Sequence, residues 1–170
     1  MAPTKSCGDC SLCCKLLGIA SIAKEPGSWC GHYRRGSGCG IYADRPGECR
    51  AFMCEWLLSK DFGDEWRPDR AKFVMQYEEK TNRLSVVVDP AQPLAWKREP
   101  YYGGIKRLSE RVEQGAQVIV CVGAQRIVIF PHEDVDLGPC APNSRIVSGY
   151  ATQNGERVAY ALLMKDEATA

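Results

Sequence analysis

Cys7-Gly-Asp-Cys10-Ser-Leu-Cys13-Cys14 stands near the start of the chain, two C-x-x-C steps with a fourth thiol added at once. Cys30, Cys39, Cys49 and Cys54 follow, so eight of the ten cysteines fall within the first third. That segregation divides the sequence. Residues 1–62 read as a cysteine-rich metal-binding segment and residues 63–170 as an α+β hairpin body, the two forming one compact unit. C-x-x-C spacing lets two sulfurs from a tight turn face one ion while backbone N–H groups of the turn face the sulfurs. Cys7/Cys10 and Cys10/Cys13 are such pairs in overlapping register. Adjacent side chains diverge in extended backbone, so Cys13 and Cys14 are expected to serve different sites, or one to ligate while the other is buried.

Working outward, 170 residues suffice for one core and a small appended module. The net charge of +1 argues against a basic nucleic-acid surface. The sequence has no apolar run of the roughly 20 residues that span a bilayer. Met1-Ala-Pro-Thr-Lys5 leads straight toward Cys7, leaving no room for a secretory signal, and a reducing cytoplasm is the expected compartment. There, closely spaced thiols read as metal ligands rather than disulfides. A disulfide framework is the competing reading.

Pro26-Gly27 and Gly36-Ser-Gly38 mark turns between cysteine-bearing loops. After Pro46-Gly47-Glu48, the stretch Cys49–Leu58 reads as one helix, on which Cys49 and Cys54 stand about 140° apart. Beyond residue 62 the pattern becomes strand-like. Phe73–Tyr77 with Leu84–Val88, and Gln117–Val122 with Arg126–Phe130, predict two hairpins. Ile146–Thr152 and Arg157–Leu163 flank Asn154-Gly155, a strong tight-turn signal, and predict a third. Ile105, Leu108 and Val112 predict a helix closing at Gly115. The expected fold class is α+β: a metal-stapled, loop-rich N-terminal cysteine segment packed on a mainly antiparallel sheet of hairpins, with one or two helices.

The candidate ligands are Cys7, Cys10, Cys13, Cys14, Cys30, Cys39, Cys49 and Cys54. They divide into two four-ligand sites, or into one site with spectators. The ion is zinc or an iron–sulfur cluster. Spacing through Cys13 equals the C-x2-C-x2-C portion of a bacterial iron–sulfur run, which favours iron. Ligands drawn from several loops, and the lack of a closing Cys-Pro, favour zinc.

The motif Cys7-x-x-Cys10-x-x-Cys13-Cys14, followed by Cys39-Gly-Ile-Tyr42-Ala-Asp-Arg45-Pro46-Gly-Glu-Cys49-Arg50, resembles the CxxCxxCC cysteine-cluster family, described as zinc- or iron-chelating. The resemblance covers residues 7–56. It implies metal chelation by Cys7, Cys10, Cys13, Cys14, Cys39 and Cys49, with Cys30 and Cys54 in more variable loops. A related cluster occurs in flagellin lysine methylases, which are larger, but this chain carries no Gly-rich βαβ unit to support methyl transfer.

Other residues read more plainly. His32 follows Cys30 by two and could complete a Cys3His site, although a solvent-facing loop histidine is the simpler reading. Cys121 reads as a small core residue in a strand, Cys140 as a loop thiol outside the site, and His132 as surface. Arg34-Arg35 and Lys97-Arg98 are short basic patches and read as solvated faces. No nucleophilic triad or phosphate-binding loop is legible, so no catalytic residue is assigned. The expected function is a cytoplasmic metal-binding protein. With zinc it would be a structural interaction module for a protein partner. With iron it would be a redox or oxidant-sensing protein. A metal-dependent enzyme such as a protein-modifying transferase comes third. Neither membrane nor nucleic acid is an expected partner.

Overall fold

The computed structural model describes residues 5–141 and 144–164. In the cysteine segment the regular elements are brief: α1 (Cys13–Leu16), β1 (Tyr33–Arg34), β2 (Gly38–Cys39), α2 (Gly47–Ala51) and α3 (Glu55–Leu58). Helices of one turn do not sustain themselves, so packing must hold them. The body follows with α4 (Pro68–Ala71), β3 (Phe73–Glu78), β4 (Arg83–Val88), α5 (Tyr101–Ser109), β5 (Gln117–Val122), β6 (Gln125–Ile129), β7 (Asp134–Pro139), β8 (Arg145–Gln153) and β9 (Glu156–Met164). The fold is α+β with a mainly antiparallel sheet and an N-terminal cysteine-rich segment, as expected.

β3 to β7 form one sheet in sequence order. The three predicted hairpins are present, as β3–β4, β5–β6 and β8–β9. Asn154 and Gly155 both adopt positive φ, the backbone that a two-residue hairpin turn requires. Two features were not legible. β4 and β5 pair in parallel, because the chain crosses back through α5 between them. β7 adds a fifth strand after Phe130, where no element had been expected, although Val135 and Leu137 alternate with Asp134 and Asp136.

Alternation along the central strands builds two cores. Val118, Val120, Ile127 and Ile129 point into the larger one, with Ile105 of α5 and with Trp66, Trp96 and Tyr101. Ile119, Val128 and Phe130 point the other way, onto Ile146, Ala159 and Ala161 of the β8–β9 hairpin. The helix predicted around Ile105 continues as a 3-10 turn over Glu110–Gln114 and ends at Gly115, whose φ is 79°.

The cysteine segment shares the larger core. Leu12, Leu16, Cys54, Trp56 and Leu57 belong to the same buried cluster as Phe73, Val74 and Met75 of β3. Three successive buried residues on β3 mean that this edge strand is covered on both faces. Lys15 Nζ pairs with Asp89 at 2.7 Å and ties α1 to the end of β4. Lys5 Nζ donates to the carbonyls of Ser59 (2.8 Å) and Trp56 (3.1 Å), closing the loop after α3.

One expectation is corrected. Residues 49–58 are not a single helix: α2 ends at Ala51, and Phe52 and Cys54 are extended, with ψ of 125° and 158°. The break lets Cys54, Trp56 and Leu57 all enter the core while Cys49 stays at the edge of a cavity. A continuous helix would spread these side chains around its axis at 100° per residue and could not serve both places.

Candidate metal centre

Local turns gather the thiols. Cys10 N–H donates to Cys7 O at 2.9 Å, closing the first C-x-x-C turn, and α1 begins at Cys13. Cys30 N–H donates to Cys14 O at 3.0 Å, bringing the second loop against α1. The β1–β2 hairpin turns through Gly36 and Gly38, both at positive φ, and sets Cys39 opposite Tyr33. Tyr33 N–H in turn donates to Cys30 O at 3.0 Å. Cys49 lies in α2, where the Glu48 carboxylate accepts from the backbone N–H groups of Ala20 and Ser21, each at 3.1 Å.

Cys7, Cys10, Cys13, Cys14, Cys30, Cys39 and Cys49 thus line one cavity of about 730 Å3, together with His32. Cys54 does not line it but lies in the core against which Cys7 and Cys13 pack, 7% exposed. Cys121 and Cys140 line a different groove, over the sheet face between the cysteine segment and β8, so both lie apart from the cluster. Cys121 is half-buried in β5 and Cys140 is buried just past β7. All ten cysteines are free thiols.

Burial pushes up the thiol pKa of Cys7, Cys10, Cys49 and Cys54. Repulsion between neighbouring thiolates adds to this at each of them except Cys10, where the like charge is Asp69. The adjacent pair behaves differently. The interaction between these two thiols holds Cys14 down at about 7 and pushes Cys13 well above the ordinary range. A cluster of this kind loses its protons together only if cations compensate.

Among the described residues, Arg45, Arg67 and Lys24 lie in range. Arg45 acts on Cys7, Cys14 and Cys49, and its guanidinium stacks on the Tyr42 ring at 3.7 Å. Arg67 acts on Cys7 and Cys10 and pairs with Asp9. Lys24 is 9% exposed, and its Nζ donates to the carbonyls of Lys15 (2.8 Å) and Leu17 at the end of α1. Burial lowers its pKa, while the thiols of Cys30, Cys14, Cys13 and Cys49 act in the opposite direction. Neither Lys24 nor Arg67 stands out in the sequence as a partner of the thiols. Nothing local distinguishes a lysine that folds back under a loop from one in solvent. Lys24→Met is expected to destabilise the chain by about 1–3 kcal/mol, since two partly buried carbonyls lose their donor, and urea denaturation would read it. A change within experimental error would mean that water replaces the ammonium.

Among the described residues, no three His, Cys, Asp or Glu side chains stand close enough to hold an ion as they are. Ligation would therefore have to draw the sulfurs inward. The donor set itself suits a soft or borderline cation: thiols on short, self-insufficient loops around one cavity, with cationic side chains to offset the charge.

Comparison of the chain with protein-family models, with curated proteins and with solved structures finds no match in any of the three. Among the described residues no helix is long and apolar enough to cross a membrane.

Proposed function

We propose that this chain is a cytoplasmic metal-binding protein whose clustered thiolates, from Cys7, Cys10, Cys13, Cys14, Cys30, Cys39, Cys49 and Cys54, chelate zinc or an iron–sulfur cluster. One observation carries the reading: loops far apart in sequence bring seven thiols to the wall of one cavity, with the eighth, Cys54, in the core against which Cys7 and Cys13 pack. The resemblance of the two cysteine motifs to the CxxCxxCC chelating family points the same way. Bound zinc would hold the segment together and leave the body to engage a protein partner. A bound iron–sulfur cluster would supply electron transfer or oxidant sensing, its potential tuned by burial and by hydrogen bonds to sulfur. In either case Lys24, Arg45 and Arg67 offset thiolate charge, and the core contacts of α1 and α3 orient the cysteines they carry.

The test is an anaerobic ultraviolet–visible spectrum with elemental analysis of the same untagged full-length protein. Broad visible absorbance with iron supports the redox form, and a colourless sample with stoichiometric zinc supports the structural form. Less than half an equivalent of any transition metal overturns the proposal.

A further inference from the structure

We propose that the eight thiols form two adjoining metal sites: an inner one of Cys7, Cys10, Cys13 and Cys54, and an outer one of Cys14, Cys30, Cys39 and Cys49. This inference rests on the metal-binding reading above and assigns ligands within it.

The division starts at α1. Cys13 and Cys14 are consecutive helical residues, so their side chains leave the axis about 100° apart. Cys13 packs against the larger core, as does Cys7, and Cys54 is a buried member of that core. The Cys7–Cys10 turn keeps Cys10 beside Cys7. These four therefore share the core side of the segment. Cys14 lies outside that core cluster, and its carbonyl receives the N–H of Cys30. The bond from Tyr33 to Cys30 and the pairing of Tyr33 with Cys39 bring the β1–β2 hairpin to the same side. Cys49 arrives there with α2, fastened through Glu48.

All of these cysteines except the core residue Cys54 line the one cavity, so the two groups adjoin rather than stand apart. A single four-coordinate ion takes only four of the eight thiols, whereas two ions take all eight.

Cobalt(II) is a suitable probe because thiolate ligation gives it intense absorbance. The full chain, stripped of metal and kept free of oxygen, would be titrated with cobalt(II) while that absorbance is followed. Two equivalents are expected. Cys39→Ala and Cys49→Ala, both at half-exposed positions away from the core, should each bind one equivalent. Cys54→Ala should also retain one, in the outer site. Saturation of the unaltered chain at one equivalent, or loss of both by Cys39→Ala or Cys49→Ala, would overturn the two-site assignment and leave metal binding standing. Absence of any cobalt–thiolate absorbance would overturn the metal-binding reading along with it.

Discussion

Stripping the metal from the loaded protein is expected to open residues 20–50 to proteases while the five-stranded sheet stays protected. Between α1 and α3 the buried side chains are sparse: Lys24 and Cys30 are the buried ones after Ile19 and before Cys54. The regular elements there are a three-residue 3-10 turn (Ala20–Ile22), the two-residue strands β1 and β2 and the five-residue helix α2. Too little apolar surface is covered to repay the ordering of that much backbone, which costs roughly 1–2 kcal/mol per residue. Structural zinc in small peptides contributes ~10–16 kcal/mol at neutral pH, enough to close such a gap. α1 and α3 should resist longer than the loops between them, because Leu12, Leu16, Trp56 and Leu57 are anchored in the sheet core. Limited proteolysis with mass spectrometry of the fragments, before and after chelation, reads the effect. An unchanged cleavage pattern after complete metal removal would mean that packing alone holds the segment.

Phe73→Ala should cost about 3–5 kcal/mol, the range for deleting a buried aromatic side chain. Phe73 is 1% exposed and meets Tyr101 edge-on, with centroids 5.2 Å apart, and Trp66 at 6.0 Å. Trp66 and Tyr101 also contact each other edge-on at 5.2 Å, so the three rings form one closed cluster at the start of β3. There the cysteine segment, α4 and α5 meet the sheet. Neighbouring aromatic rings are poor at collapsing into the space a lost ring leaves. Urea denaturation should show a lower midpoint at unchanged slope, the mark of lost stability rather than an altered unfolded state. A loss below about 1 kcal/mol would show that the cluster repacks.

The parts of this protein that sequence alone determined are those governed by short-range physics. Alternation over five or six residues placed β3, β4, β5 and β6, because a strand's two faces are set by successive side chains. Asn154-Gly155 placed the last hairpin, and Gly115 ended the helix, because only certain residues accept positive φ cheaply. C-x-x-C spacing marked the thiols as candidate ligands for the same reason, as a turn is a local object. What lay beyond reach depended on neighbours distant in the chain. The break after Ala51 exists because Cys54 and Trp56 pack on β3, and the parallel pairing of β4 with β5 exists because α5 crosses between them. The burial of Lys24 and the sorting of the cysteines into core-side and outer groups were likewise decided by tertiary structure. A thiol's spacing says that it can turn toward an ion, whereas its companions are chosen by which loops the sheet holds against each other.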